Sequence, residues 1–318
     1  MVLATTLHAG PEIWAALFAA LAAMIVVDLA MLRPGRAIGV REAALWSVAW
    51  FAVGLGFGAV LWVWAGSGPA AAYLGGYLVE RSLSIDNVFV FALIMAAFGV
   101  SDRHQARVLL WGVLGALVLR AVLIAAGVEL LDRVAWTAYV MGALLVVTGV
   151  RMVRHRPEQA DPTANPVARA VGRILPVDAD DDSGRVIRWR GGRLVATPLL
   201  PVLVAVATTD LVFAVDSVPA ILAITQEPLL LVAANAFAML GLRSLYFSVA
   251  GLVDRFVYLA PGLAVVLVFI GLKMVWAEAV GHVPLSVSLP VIGLIIAGAV
   301  AASFVATRGR GAAAADAG

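Results

Sequence analysis

Long apolar runs separated by short polar segments dominate this chain of 318 residues. Nine runs are long enough to cross a bilayer as helices, which takes about 17 to 25 residues. They lie at 12–32, 43–65, 73–99, 107–128, 134–152, 197–222, 229–250, 257–277 and 286–306. The pattern therefore predicts about nine transmembrane helices.

Composition assigns the chain to the membrane class. Hydrophobic residues make up 63% of it and charged residues 13%, and the mean hydropathy is +1.01. Soluble domains are closer to half apolar and a quarter charged. We predict an all-α, polytopic membrane helix bundle with a transmembrane domain over 1–310 and a disordered tail over 311–318.

The basic residues predict the orientation, because Lys and Arg concentrate in cytoplasmic loops. With the N-terminus outside, 17 of the 22 Lys and Arg residues lie in cytoplasmic loops. Arg133 and Lys273 then lie outside, while Arg81, Arg120 and Arg243 lie within predicted spans. We expect a multi-pass protein of the bacterial inner membrane with its C-terminus in the cytoplasm.

A polar segment over 154–196 divides the apolar runs into two groups. It is rich in Arg and contains an acidic run over 178–182. Such a charged segment is usually a solvated loop. Since long loops are often functional, docking of membrane protein partners is the alternative interpretation.

Two acidic motifs inside apolar runs are the main candidates for chemistry. In each motif two acidic residues stand six apart, and a polar residue follows the second; the motifs contain Glu80, Asp86 and Asn87, and Asp210, Asp216 and Ser217. Carboxylates within a membrane cost several kcal/mol unless they are paired, solvated or bound to a cation. They are therefore functional candidates.

The motifs belong to an internal repeat. Glu80 and Asp86 match Asp210 and Asp216 at an offset of 130, and Gly149 with the residues after it resembles Gly271 with its followers. The units, about 73–153 and 197–277, hold three predicted helices each. Because three is odd, the copies must be inverted, which is a transporter architecture with its site near the membrane midplane.

Two side chains that are six residues apart do not lie on the same face of a regular helix. Glu80 shares a face with Ser84 and Asn87, at steps of four and seven. Both carboxylates of a motif meet one ion if the helix unwinds locally or if the site lies between several helices. In the second motif we expect Pro219 to favour unwinding, because it frees the carbonyl of Val215 beside Asp216.

The ligand types indicate a hard divalent cation. Carboxylate, amide, hydroxyl and carbonyl oxygens suit Mg²⁺, Ca²⁺ and Mn²⁺. The chain has no Cys, and its four His residues fall in loops or at span ends. We predict a metal site of Glu80, Asp86, Asn87, Asp210, Asp216 and Ser217, with the ion as transported ligand and no permanently bound cofactor.

The alternative role of the carboxylates is structural, because charged groups in membranes commonly pair. Arg81, Arg120 and Arg243 are available as partners. A mixed arrangement, in which arginines hold some acids and others bind the ion, is a third interpretation. Asp28, near the end of the first span, is expected to pair with Arg33.

At these residues the chain resembles the TerC family, which includes the Alx-type manganese exporters. The resemblance rests on residues 80–91, 209–220 and 235–247 and on the linker over 165–178, and it covers most of the chain. It implies Mn²⁺ export through acids at Glu80, Asp86, Asp210 and Asp216. The family often has Glu where this chain has Ala207. Either this chain lacks one oxygen ligand, which changes affinity or ion preference, or that Glu does not bind the ion directly.

The leading hypothesis is therefore a divalent-cation exporter with Mn²⁺ as the favoured cargo, whose partners are the metal ion and the lipid bilayer. Direct export of an oxyanion such as tellurite is disfavoured, since an anion path is lined by Arg or Lys. The alternative is a membrane accessory of tellurite resistance or of metal delivery to secreted metalloenzymes. No enzyme motif or nucleic-acid-binding pattern is present, so neither activity is expected.

Overall fold

The computed structural model describes residues 9–30, 39–134, 136–154, 186–190, 193–249, 258–281 and 283–315. It confirms a polytopic helical bundle. The helices are α1 (Pro11–Ala30), α2 (Val40–Ala65), α3 (Ser67–Ala97), α4 (Asp102–Arg133), α5 (Thr137–Arg154), α6 (Leu199–Leu222), α7 (Pro228–Met239), α8 (Leu242–Val249), α9 (Leu259–Ala279) and α10 (Leu285–Ala315).

Six helical segments within the described residues are long and apolar enough to cross a membrane. They are Pro11–Ala30, Val40–Ala65, His104–Leu131, Leu199–Leu222, Pro228–Ser248 and Ser286–Ala306. Thr137–Met152 and Pro261–Ala277 are shorter apolar helices. The count of nine spans stays a prediction.

The centre of the bundle is formed by α3, α4, α6 and α7. In this centre α4 packs against α6, and α3 packs against α7. The outer helices instead expose large apolar side chains, such as Leu45, Val63 and Leu294. Extended apolar surface of this kind marks a membrane-facing protein.

The predicted seventh span is broken rather than continuous. Helix α7 ends at Met239 and α8 begins at Leu242. At the break Gly241 has a φ of 83°, a left-handed conformation that glycine adopts without steric cost. A Cβ atom at this position would also lie 2.7 Å from the Trp50 side chain. The break therefore needs glycine for two independent reasons.

Helix α6 shows no unwinding at the position where we expected it. It is continuous from Leu199 to Leu222 and contains Pro219 in its last turn. Because few residues follow Pro219, its missing N–H removes a bond near the helix end and does not split the helix. The expectation of a local break beside Asp216 is wrong.

Helices α5 and α9 pack antiparallel at very close range. A Cβ atom added to Gly142 would lie 2.8 Å from the carbonyl oxygen of Gly271, and one added to Gly149 would lie 2.6 Å from that of Ala264. Small residues let membrane helices approach to backbone contact. The close pairs run in opposite directions along the two helices, which gives the antiparallel orientation.

Two segments outside the bundle differ from the expectations. In the predicted loop, strand β1 (Ile187–Arg190) pairs antiparallel with β2 (Arg193–Ala196). The dipeptide Gly191-Gly192 between two short alternating stretches indicates a hairpin, which the interpretation based on charge alone did not include.

The tail prediction is wrong for residues 311–315, since α10 continues through this Ala-rich stretch, and Ala is the best helix former. Residues 316–318 lie outside the described residues.

Candidate cation site

The central residues of helices α3, α4 and α6 meet inside the bundle. Glu80 on α3, Arg120 on α4 and Asp210 on α6 each have at least eleven helical residues on either side. Eleven residues correspond to about 17 Å of helix. These side chains therefore lie far from the ends of their helices, deep within the bundle.

Arg120 is the centre of the group, and its side chain is fully buried. It donates to both carboxylate oxygens of Asp210, from Nε to Oδ2 and from Nη2 to Oδ1, each at 3.0 Å. It donates from Nη1 to Ser217 Oγ at 3.0 Å. The same nitrogen forms an ion pair with Glu80 Oε1. One guanidinium thus joins the two acidic motifs.

Asn87 completes the group. The orientation of its amide that satisfies both polar atoms donates to Leu83 O at 3.2 Å and accepts from Arg120 Nη2 at 3.2 Å. Glu80 and Asn87 are seven residues apart, as are Asp210 and Ser217. Seven residues make almost two full helical turns, so each pair shares one face.

Glu80 has an unused acceptor. Its side chain is fully buried, and Oε2 has no hydrogen-bond donor among the residues whose side chains the structure describes. An unpaired buried acceptor normally costs about 1 to 3 kcal/mol. Since Oε1 already contacts Arg120, the free oxygen of Glu80 marks a position for a further positively polarised group.

The second acids of the motifs stand apart from this group. Asp216 is half-buried and accepts a hydrogen bond from Thr148 Oγ1 on α5 at 2.8 Å. Asp86 belongs to α3, and its side chain lies outside the part that the structure describes. Of the six predicted ligands, the structure brings together Glu80, Asn87, Asp210 and Ser217 around Arg120.

The other two buried arginines have different partners. Arg243 donates to the Oδ1 of Asp28 at 3.0 Å and to its backbone oxygen at 2.6 Å. The expected partner of Asp28, Arg33, lies outside the described residues. Arg81 donates to the carbonyl of Ala238 at 2.7 Å and to that of Leu240 at 3.3 Å, at the break after α7. Arg81 thereby satisfies carbonyls that the helix end leaves without a partner.

The geometry differs from the sequence prediction in two respects. The groups that converge are seven residues apart in each motif, whereas the predicted site also included Asp86 and Asp216; of the two converging pairs, only Glu80 with Asn87 was expected to share a face. Thr148 was not considered, although a hydroxyl in an apolar helix is a signal in itself. Within the described residues, no three His, Cys, Asp or Glu side chains form a group that could hold a metal ion by themselves.

The fold and the buried polar group define a polytopic integral membrane protein with a charged cluster inside its helix bundle. Residues 65–311 match the integral membrane protein TerC family. A membrane protein of Myxococcus xanthus, STKORF319, is 40% identical over 94% of this chain and 93% of its own length. A candidate membrane-bound redox modulator of Escherichia coli K12, named Alx, is 40% identical over 90% of this chain and 92% of its own.

The chain belongs to the TerC family of integral membrane proteins. A membrane protein of Rickettsia felis is also similar, at 32% identity over 91% of this chain and 96% of its own length. No solved structure matches the chain.

Proposed function

We propose that this protein exports a hard divalent cation, with Mn²⁺ as its principal cargo. The observation that supports the proposal is the meeting of matched oxygen donors from both motifs at one buried point. Glu80 with Asn87 and Asp210 with Ser217 supply carboxylate, amide and hydroxyl oxygens, which are the ligands of hard cations.

The close contacts of α5 and α9 support an inverted repeat over 73–153 and 197–277. An offset of 122 carries Gly142 to Ala264 and Gly149 to Gly271. If the two repeats are exchanged, the contact between Gly142 and Gly271 becomes a contact between Ala264 and Gly149. The structure contains this second contact as well. A contact set that maps onto itself in this way is what a twofold relation between the repeats requires.

The central helices supply a second matched pair of contacts. A Cβ atom at Gly112 would lie 2.7 Å from Val206 Cγ1, and one at Gly76 would lie 3.3 Å from Ala234 Cβ. Adding 122 to the number of Gly112 on α4 gives Ala234, and adding 130 to that of Gly76 on α3 gives Val206. The repeat relation therefore converts the first contact into the second. Inverted repeats place transport sites at their interface near the midplane, and the proposal assigns that position to the group in which Arg120 joins both motifs.

The charge of the group favours a cation over an oxyanion. Two carboxylates, Glu80 and Asp210, face one guanidinium, so the ionised group has a net charge of −1. An anion such as tellurite would enter a site that already has an excess of negative charge. The proposal places the protein in the bacterial inner membrane with its N-terminus outside.

A role in metal delivery through partner proteins is the second candidate. The hairpin of β1 and β2 supports it, because Trp189 is 68% exposed and Ile187 is 47% exposed on the same face of the hairpin. Exposed aromatic residues are typical of binding surfaces. If delivery is the function, deletion of residues 186–196 removes co-purifying partners and leaves cellular metal content unchanged.

The whole-cell test of export is the metal content of cells with and without this protein, measured element by element. Export predicts lower cell-associated manganese when the protein is present, with other elements unchanged. An equal manganese content in the cells with and without the protein would refute the proposal. A fall in tellurium after tellurite loading, in medium depleted of divalent metals, would support the oxyanion function instead.

Thr148→Val is expected to reduce manganese efflux about threefold to tenfold without loss of folded protein. The substitution keeps the side-chain shape but removes the hydroxyl that orients Asp216. One such hydrogen bond contributes about 1 kcal/mol, which corresponds to a rate or affinity change of that size. Initial efflux rates at equal membrane protein content measure the effect. Thr137→Val is the control, because the Thr137 hydroxyl, at the start of the same helix, donates to the backbone carbonyl of Leu130. Equal efflux by both variants would show that the hydrogen bond between Thr148 and Asp216 plays no part in transport.

A further inference from the structure

We propose that Arg120 is a tethered counter-cation, which takes the place of the cargo when the carrier is empty. The inference rests on the proposed function, since it concerns the same site. Four predicted cation ligands contact this one side chain: Glu80, Asn87, Asp210 and Ser217. The group around Arg120 is therefore both assembled and filled in the structure.

The hydrogen bonds of Arg120 mean that its guanidinium and the metal ion compete for Asp210. Arg120 binds Asp210 through two parallel bonds of 3.0 Å, which engage both carboxylate oxygens. Bidentate guanidinium–carboxylate pairs are among the stronger and more directional polar contacts in proteins. A metal ion that takes Asp210 as ligand must displace at least one of these bonds, so the guanidinium and the metal cannot both hold Asp210 as it is held here.

The charge of the empty site explains why a tethered counter-cation is needed. Without Arg120, an empty site would hold the carboxylates of Glu80 and Asp210 in a buried position with no compensating positive charge. Leaving buried charges unpaired is strongly unfavourable. With Arg120 in place one excess negative charge remains, and Oε2 of Glu80 has no donor among the side chains that the structure describes. A divalent cation would neutralise both carboxylates, and so releases the guanidinium.

Arg243 provides a matched control within the same chain. It is equally buried, lies in a membrane segment and pairs with one carboxylate, that of Asp28. It makes no hydrogen bond or ion pair with the residues around Arg120 among those that the structure describes. Arg243→Gln therefore removes a buried arginine without touching the proposed exchange of cations.

Two transport modes distinguish a counter-cation from a structural arginine. In purified proteoliposomes, net flux of radioactive Mn²⁺ into metal-free vesicles requires the empty carrier to return. Exchange of labelled for unlabelled Mn²⁺ requires only the loaded carrier to move. We expect Arg120→Gln to lose at least tenfold in net flux and to keep exchange within about threefold of wild type. Arg243→Gln is expected to keep the ratio of the two modes.

Arg120→Lys tests competition directly, because Lys keeps the charge but loses the bidentate contact. We expect its KM for Mn²⁺ to fall several-fold, since a weaker competitor holds Asp210. An unchanged or raised KM, or equal loss of both modes in folded Arg120→Gln, would overturn the inference while leaving export intact. If wild-type protein shows neither mode, the proposed function itself fails, and this inference fails with it.

Discussion

Asp210→Asn is expected to abolish manganese efflux, so that cells expressing it retain as much manganese as cells without the protein. The variant removes the carboxylate that anchors Arg120 through two hydrogen bonds of 3.0 Å, and with it one of the two charges proposed to bind the cargo. Glu80 still pairs with Arg120, so the site stays compensated. We expect a stability loss of about 2 kcal/mol, the scale of hydrogen bonds to charged groups.

The control for this prediction is Asp28→Asn. Asp28 is also a buried carboxylate paired with an arginine, but it lies outside the group around Arg120. Efflux per folded molecule should remain near wild type in Asp28→Asn and fall at least tenfold in Asp210→Asn. Efflux by Asp210→Asn within twofold of wild type would contradict the assignment of Asp210 as a ligand.

Gly271→Val is expected to prevent the correct packing of α5 against α9. An added Cβ at position 271 would lie 2.6 Å from the carbonyl oxygen of Gly142 and 2.9 Å from two side chains of α5, those of Leu145 and Val146. A backbone oxygen cannot move aside as a flexible side chain can. Overpacking of this kind costs about 3 kcal/mol, enough to lower the yield of folded protein sharply.

The yield of monodisperse protein in detergent and its thermal unfolding midpoint measure this effect. Gly293→Val on α10 is the matched control, since an added Cβ there meets no atom within 4 Å. We expect near-normal yield for Gly293→Val and little folded protein for Gly271→Val. If Gly271→Val unfolds at the wild-type temperature, the close approach of α5 and α9 is not what holds the two helices together.

The helical fold follows directly from the sequence, because apolar runs of spanning length admit few other structures in a bilayer. The break after Met239 was not predicted. Residues 229–250 are apolar throughout, and Gly241 alone does not distinguish a break from a continuous helix. Its cause lies in distant residues: Trp50 fills the space beside Gly241, and Arg81 binds the carbonyls that the break exposes.

The sequence predicted which residues belong to the candidate site better than it predicted how they contact one another. The cost of carboxylates within a membrane identified Glu80 and Asp210, and Arg120 was recognised as an available partner. The sequence does not determine which faces of α3, α4 and α6 meet, since that depends on packing between helices distant in the chain. For this reason the contact of Ser217 with Arg120, and that of Thr148 with Asp216, required the structure.

The most direct test of the central claim is manganese transport by the purified protein in vesicles that contain no other protein. The account predicts time-dependent Mn²⁺ flux by wild type that saturates with concentration, and loss of at least nine-tenths of the rate in both Glu80→Gln and Asp210→Asn. Vesicles with well-folded wild-type protein that move no Mn²⁺, or in which both variants transport at the wild-type rate, would contradict it.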